Sequence, residues 1–406
     1  MNCIKFNLYK TAIYSIILAM CTSMMLYFTW KIPPIYANCF AIICIFPLLF
    51  RFKIKFNDLW IIFLIILSFF YDFLHIRWSL SGLANNCFLI VIISFVVLSP
   101  DKLKIRLYHT FDSFLKLICF ISLVGWILYL MGTPLPHYYS PTTDFYSHEV
   151  FYFFIMGANT LITDSTSIID MLPRFCGLFL EPGHIGSTAC LMLYVNQFNF
   201  QKRSNFIYLF SILLSLSLAA YCLLFIGMIL FYYLRGKNIF KYLCGVFIII
   251  LVIVLFGINY KEGDNVINDK ILERLIVTDG KLAGDNRTTS EFDYHYNRWL
   301  NDGNLVWGFG SKAYGDGDVS GNVLSGTASY KRFFFINGII GIILVFALYL
   351  TILFKNYSRL GLGLFILILI CNMIRDYPYR LMWLCIFIAG LAVIKAIDNN
   401  KNEFKI

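Results

Sequence analysis

The stretch RFCGLFLEPGHIGSTACLMLYV places three side chains capable of chemistry, Arg174, Glu181 and His184, beside a long apolar run. Pro182 suits the first turn of a helix, and the positive end of that helix would favour the carboxylate form of Glu181. His184 follows about one turn later and could share a site with Glu181. Gly177 lets another group approach the backbone closely. The alternatives are an interfacial arginine, an N-cap and a packed histidine.

Two further arginines, Arg287 and Arg298, stand in a later polar segment. Their separation is close to three helical turns, so a helix through both would point them the same way. Arginine binds phosphate oxygens through paired hydrogen bonds and keeps its charge at any relevant pH. Together with Arg174 they could clamp a lipid-linked diphosphate. The alternative is ion pairing within the segment, to Glu291, Asp293 or Asp285.

Other short patterns predict no cofactor site. The segment GDGDVSG lacks the closing glutamate of a calcium loop. Gly308 and Gly310 do not complete a nucleotide-binding fingerprint. The cysteines form neither a CxxC pair nor a disulfide framework. We therefore expect no metal and no cofactor.

The composition is that of a membrane protein. Of 406 residues, 59% are hydrophobic and 14% are charged, and the mean hydropathy is +0.73. Many apolar runs are long enough to cross a hydrocarbon core of about 30 Å. We predict an all-α polytopic membrane protein with about twelve transmembrane helices. They fall at 10–30, 33–50, 58–74, 81–99, 109–132, 183–200, 205–217, 219–235, 239–259, 333–354, 360–375 and 380–397.

The basic residues predict the orientation of these helices. Lysine and arginine cluster in alternate short loops, which marks those loops and both termini as cytoplasmic. The net charge of +10 follows from this topology, so we expect no nucleic-acid partner. Splitting the apolar run at 205–235 into two helices keeps the alternation intact. The resulting regions are helices 1 to 5 (1–132), a first large outer loop (133–182), helices 6 to 9 (183–259), a second large outer loop (260–332), and helices 10 to 12 with a tail (333–406).

The two outer loops also show local patterns. The aromatic segment HEVFYFFIMG could lie along the membrane surface as a short amphipathic segment or form an aromatic belt. In the second loop, periodic apolar residues from Ile267 to Leu275 predict a helix. The segment GDNRTTSEFDYHYNRWLND predicts a second helix.

Three motifs border the outer loops. They are R-x-x-G-x-x-x-E-P from Arg174 to Pro182, an arginine about twenty residues before G-x-G at Arg287 and Gly308, and N-G-I-I-G from Asn337 to Gly341. This arrangement resembles the O-antigen polymerases of the Wzy type and, more distantly, the O-antigen ligases. The resemblance covers the topology of the whole chain. The R-x10-G spacing described for the family is not met, since Arg174 is one residue off relative to Gly186.

The resemblance implies a GT-C-like membrane glycosyltransferase with two large periplasmic loops. Arg174 and Arg287 would neutralise the diphosphate leaving group, with Arg298 in support. Glu181, or else His184, would be the general base. The other expected substrate-binding residues are Gly177, Trp307 and Tyr330, although the aromatic ones could equally serve in packing.

The expected activity is the joining of undecaprenyl-diphosphate-linked oligosaccharide repeats at the periplasmic face of the bacterial inner membrane. Donor and acceptor are both lipid-linked, and a chain-length regulator and a flippase are candidate partners. One alternative is an O-antigen ligase acting on lipid A core, which fits less well because SGTASYKRFFFING lacks a histidine. A flippase is another alternative, although few charges lie in the apolar segments, notably Asp72, Asp112 and Lys116.

Overall fold

The computed structural model describes most of the chain. The described residues are 8–29, 32–51, 55–75, 79–133, 137–141, 150–154, 157–161, 174–236, 251, 254–255, 257–263, 265, 268, 272–273, 276–278, 281–282, 288–314, 324 and 329–403. For the strands, only the backbone is described.

α-Helices dominate these residues. They are α1 (Leu8–Ser23), α2 (Pro34–Leu49), α3 (Phe56–His75), α4 (Leu80–Leu98), α5 (Asp101–Leu130), α6 (Pro182–Val195), α7 (Asn205–Leu214), α8 (Leu218–Leu234), α9 (Ser290–Asp302), α10 (Tyr330–Lys355), α11 (Arg359–Ile374) and α12 (Leu381–Glu403).

The helical membrane class is confirmed. Five helices, α3, α4, α5, α10 and α12, are long and apolar enough to cross a membrane. Every predicted apolar segment except the ninth coincides with a helix, and the ninth, 239–259, lies mostly outside the described residues. Several of these helices are shorter than a full span, so the number twelve stays a prediction.

Short strands interrupt the helical pattern in the predicted outer loops. A three-stranded antiparallel sheet consists of β1 (His137–Pro141), β2 (Val150–Phe154) and β3 (Gly157–Leu161), in that order. The aromatic segment that we expected at the membrane surface is largely the middle strand of this sheet. A two-stranded ladder joins Val277–Thr278 to Lys281–Leu282. The helical prediction holds for the other described elements, and these short strands depart from it locally because aromatic residues such as those of β2 also suit strands.

The chain forms two compact units. Unit 1 contains Met1–Met25, Thr29–Phe111 and Arg287–Ile406, and unit 2 contains Leu26–Phe28 and Asp112–Asn286. The boundary falls inside α5. Each unit is therefore described separately.

Unit 1 is a helical bundle with α12 inside it. The apolar window of α12 is 78% buried, more than that of any other helix long enough to span a membrane in the described residues. It packs against α1, α4 and α11, while α3 packs against α10. Because α12 is apolar all round, burial on several sides suits its sequence.

Unit 2 is built around α6, which packs against α7 and α8. All thirteen residues from Gly183 to Val195 of α6 are buried. The helical path is interrupted between α7 and α8, where Leu216 has a positive φ of 44°. The prediction of two helices in this apolar run is confirmed. The break exposes backbone carbonyl groups at the end of α7 that need donors from elsewhere.

Candidate functional site

Arg174 lies at the carboxyl end of α7. Its Nε donates a hydrogen bond of 3.0 Å to the carbonyl oxygen of Ser215, and the Phe175 amide donates to the Leu214 carbonyl at 2.9 Å. The positive guanidinium therefore faces the negative end of a helix dipole. Arg174 is half-buried. It thus has a structural contact at the α7 end while part of its surface stays accessible.

The turn after Arg174 depends on Gly177. This residue has a positive φ of 57°, and a hydrogen bond of 3.0 Å from the Phe179 amide to the Cys176 carbonyl closes the turn. Gly177 is buried. Its observed role is in the turn that leads toward α6, and its contact with a substrate stays a prediction.

Glu181 and His184 differ in their access to a substrate. Glu181 is the N-cap residue of α6, and its side chain makes no capping hydrogen bond. It is half-buried, whereas His184 is only 5% exposed. A general base has to reach the proton that it removes. Glu181 is therefore the more accessible of the two, and the role of either residue as a base stays a prediction.

The helix that carries Arg298 begins after Arg287. The helix in this region, α9, begins at Ser290 after the N-cap Thr289, whose hydroxyl accepts a hydrogen bond of 3.2 Å from the Phe292 amide. Arg287 precedes this helix and lies outside the described residues. One helix therefore does not carry both arginines, because the threonine cap starts the helix too late.

Arg298 is exposed on α9. The opposite face of α9 packs into unit 1 through Phe292, Tyr296 and Trp299. Within the described residues Arg298 makes no ion pair, and Asp293 pairs instead with Lys331 at 3.7 Å. For Arg298, pairing to Glu291 or Asp293 is therefore not observed among the described residues. Arg287 and Asp285 lie outside them, so pairing by Arg287 stays an alternative.

Trp307 and Tyr330 both present rings at the surface of unit 1. Trp307 is 54% exposed and Tyr330, the first residue of α10, is 49% exposed. The Trp307 ring stacks on Tyr71 with centroids 6.2 Å apart. Both positions suit stacking on a sugar, which stays a prediction.

α10 is a broken helix, which the sequence did not indicate. Gly338 has φ 61° and ψ −166°, so the helical path stops there and resumes. The segment 304–309 docks on the break and satisfies the backbone on both sides. Its hydrogen bonds run from Phe309 N to Phe335 O (2.7 Å), from Ile339 N to Leu305 O (2.9 Å) and from Ile340 N to Val306 O (3.2 Å).

Two glycines make this docking possible. A Cβ atom on Gly308 would lie 2.3 Å from the Ile336 carbonyl oxygen, and one on Gly338 would lie 2.5 Å from the Val306 carbonyl oxygen. Both glycines also have positive φ. The G-x-G and N-G-I-I-G motifs singled out in the sequence therefore meet at this contact, where they bring two backbones together.

Asp72 of α3 lies at the same break. Its Oδ1 accepts a hydrogen bond of 3.4 Å from Nδ2 of Asn337, the residue before Gly338. The neighbouring Tyr71 hydroxyl donates to the carbonyl oxygens of Asn337 at 2.9 Å and Trp307 at 3.2 Å. The sequence showed Asp72 only as an isolated charge in an apolar segment. Its partner is 265 residues away, so no local pattern predicted the contact.

A second carboxyl group, Asp376, lies in the loop between α11 and α12. Its Oδ2 is 3.3 Å from Arg332 Nε. Burial raises the pKa of the Asp376 carboxyl above its ordinary value, although Arg332, Arg380 and Arg375 act in the opposite direction. Asp376 and Arg380 both interact electrostatically with Asp72. Unit 1 therefore has a mixed cluster of carboxyl and guanidinium groups beside the break.

The expected site residues fall into two sets. Gly177, Glu181, His184 and Arg174 belong to unit 2, whereas Arg298, Trp307 and Tyr330 belong to unit 1. Among the described residues, no group of three His, Cys, Asp or Glu side chains could hold a metal ion.

Comparison with known proteins adds no relative. No protein-family model matches the chain, and neither a curated protein nor a solved structure is significantly similar to it. The class that the fold defines is an α-helical membrane protein.

Proposed function

We propose that this protein is a membrane glycosyltransferase that polymerises undecaprenyl-diphosphate-linked oligosaccharide repeats, as the O-antigen polymerases that it resembles do. One observation carries the proposal. In unit 2, a single short segment presents a half-buried arginine at the end of one helix and a half-buried glutamate at the start of another, Arg174 and Glu181. A cation and a carboxylate so fixed suit a diphosphate leaving group and an acceptor hydroxyl.

The proposed reaction uses these groups in turn. The acceptor hydroxyl oxygen attacks the anomeric carbon of the donor, and the bond from that carbon to the diphosphate oxygen breaks. The diphosphate leaves with the bonding electron pair, and Arg174 neutralises its charge, a role that the family resemblance also assigns to Arg287. The hydroxyl proton passes to the Glu181 carboxylate. Arg298 supports the leaving group, and no metal takes part.

The proposed setting is the periplasmic face of the bacterial inner membrane, with both termini in the cytoplasm. Donor and acceptor reach the site as lipid-linked oligosaccharides within the bilayer. A flippase would supply them, and a chain-length regulator would limit the product. The GT-C-like architecture belongs to the same proposal.

Transport is the second candidate, and the break in α10 favours it. Transporters place substrate sites at broken membrane helices, where backbone and polar side chains line a cavity. Asp72 and Asn337 lie at such a break. The first candidate ranks higher because the sequence motifs lie in the loops. An O-antigen ligase is a further alternative, and it differs from the polymerase only in its acceptor.

The first test is a gel profile of surface lipopolysaccharide and lipid-linked glycan. It compares cells that lack the gene with cells that carry Arg174→Ala, Glu181→Gln or, as a control, Arg203→Ala at matched protein level. Arg203 is an exposed arginine of the same unit. We expect core bearing a single repeat in the deletion and in the first two variants, and a normal ladder in the control.

Two other outcomes would contradict the polymerase, and a third would contradict the role of Arg174. Bare core with long glycan stranded on the carrier lipid indicates a ligase. Lipid-linked single repeats trapped on the cytoplasmic face indicate a transporter. An unchanged ladder in folded Arg174→Ala removes the diphosphate clamp. Because Arg174 also holds the end of α7, size-exclusion profiles of each variant report whether it folds.

A further inference from the structure

We propose that Asp72, Asn337 and Trp307 form a saccharide-binding site beside the break in α10. Asp72 and Asn337 would hydrogen-bond the hydroxyl groups of a sugar, and the Trp307 ring would stack on its apolar face. The identity of the saccharide, a sugar of the lipid-linked repeat, rests on the proposed function. The site itself rests on unit 1 alone.

The first observation in favour of the saccharide site is a carboxylate in an apolar helix. Asp72 lies in α3, one of the helices long and apolar enough to span a membrane, and it is half-buried. Ionisable residues in such helices are costly and mark binding or transfer sites. Asn337 holds one carboxylate oxygen through its Nδ2 atom. The carboxylate is therefore oriented, and part of the Asp72 residue stays exposed.

The second observation is that two buried polar atoms have no hydrogen-bond partner among the described residues. Asn337 is 2% exposed, and its Oδ1 atom has no hydrogen-bond partner among the described residues. The Asp376 side chain is 8% exposed, and its Oδ1 atom likewise has none there. A buried acceptor left unpaired costs about 1–3 kcal/mol. A ligand rich in hydroxyl donors offsets this cost, since each hydroxyl can donate one hydrogen bond.

The surrounding charge favours a neutral ligand over a cation. Three arginines, Arg332, Arg375 and Arg380, act electrostatically on Asp376. Arg332 lies in ion-pair contact with Asp376, and Arg380 interacts with Asp72. The negative charge that a cation would require is thus already balanced. A polyhydroxyl ring can both donate to the carboxylates and accept from the guanidinium groups.

An exposed aromatic ring completes the arrangement. Trp307 belongs to the segment docked on the break, and its ring continues the stack begun by Tyr71. The Tyr71 hydroxyl links the backbone of Asn337 to that of Trp307. One hydrogen-bond network therefore fixes both the amide and the ring, and such rigid positioning favours ligand binding.

The test is a calorimetric titration of the full-length protein in lipid nanodiscs. The probe is the oligosaccharide released by mild acid from lipid-linked repeats of cells that lack the gene. The variants are Asp72→Asn and Trp307→Ala. The control is Asp58→Asn, since Asp58 lies on the same helix but pairs with Lys355 at 2.7 Å.

We expect Kd to rise about tenfold or more in each of the two variants, and to stay within about twofold in the control. Trp307→Ala keeps the hydrogen bonds that Tyr71 and His75 make to this residue, because both use the Trp307 backbone carbonyl, and it loses only the ring contact with Tyr71. It therefore tests the site even if Asp72→Asn fails to fold. Thermal unfolding of each variant checks folding.

Two results would overturn the site: wild-type protein that does not bind the oligosaccharide, or folded variants that bind it as tightly as wild type. Polymerisation of the lipid-linked repeat in the same nanodiscs separates this inference from the proposed function. If the oligosaccharide binds through Asp72 but no chain growth occurs, the saccharide site is supported and the polymerase function is excluded. If Asp72→Asn supports chain growth with an unchanged KM, the polymerase function is supported and the saccharide site is excluded.

Discussion

The surroundings of Glu181 allow its chemical role to be tested separately from its effect on stability. Glu181 is the N-cap residue of α6, but its side chain makes no capping hydrogen bond, so Glu181→Gln removes no cap. We therefore expect Glu181→Gln to leave the free energy of unfolding within about 0.5 kcal/mol of wild type. Polymerisation should fall about a hundredfold or more, because the base is lost.

Thermal unfolding in detergent and chain growth on lipid-linked repeats measure these two effects. His184→Gln is the comparison, since His184 lies in the packed interior of unit 2. Its replacement should lower stability more than that of Glu181. Normal chain growth in folded Glu181→Gln would exclude this residue as the base.

Asp376 predicts a dependence of stability on pH. Burial raises its pKa in the folded state above the unfolded value of about 3.9. The folded protein therefore binds this proton more readily. The resulting stabilisation is complete below the unfolded pKa and is lost as pH rises through the folded one.

Asp376→Asn removes this titration. We expect the unfolding temperature of wild type minus that of Asp376→Asn to decrease as pH rises from about 4 to 7. Glu291→Gln, which removes an exposed carboxyl group of α9, is the control. The same pH dependence in wild type and Asp376→Asn would contradict the prediction.

The broken α10 and its docked segment form the element that positions the aromatic and acidic residues of unit 1. We expect Gly308→Ala and Gly338→Ala each to cost about 3 kcal/mol or more, because a new Cβ would overlap a backbone carbonyl. Gly132→Ala is the matched control, since Gly132 also has a positive φ but no atom within 4 Å of a Cβ. It should cost about 1–2 kcal/mol.

Equilibrium unfolding of the three variants in mild detergent provides the measurement. Equal losses in all three would mean that backbone strain alone matters and that the close approach of the two segments does not. Recovery of stability is not expected from any larger side chain at Gly308 or Gly338, because the obstructing atoms belong to the backbone.

The elements differ in how well the sequence predicted them. Apolar length placed most membrane helices within a few residues, and charge alternation placed the break between α7 and α8. The break in α10 was missed because apolar residues lie on both sides of Asn337 and Gly338, so the whole segment reads as one membrane span. The contact of Asp72 with Asn337 depends on how α3 packs against α10, which no local pattern contains.

At the scale of the molecule, the chain divides its candidate chemistry between two units. Unit 2 holds Arg174 and Glu181, the arginine and glutamate of the sequence motif R-x-x-G-x-x-x-E-P. Unit 1 holds aromatic residues that the sequence predicted and a carboxyl cluster that it did not. Motifs were visible where residues lie close along the chain. The cluster was not, because its members come from α3, α10 and the loop after α11.

The proposed site requires that α9 and the loop between α6 and α7 lie on opposite sides of the membrane. Basic loops mark the cytoplasmic side, so the loop QKRSN should be inside and α9 outside. Arg203→Cys and Arg298→Cys test this directly, because both arginines are exposed. A membrane-impermeant maleimide applied to intact spheroplasts should label Arg298→Cys and spare Arg203→Cys, and lysis should expose both. The unchanged protein sets the background from its own cysteines. Labelling of Arg203→Cys alone would reverse the topology and put Arg298 on the side where no periplasmic polymer can form. Labelling of both variants in intact spheroplasts would contradict the predicted cytoplasmic position of the loop between α6 and α7.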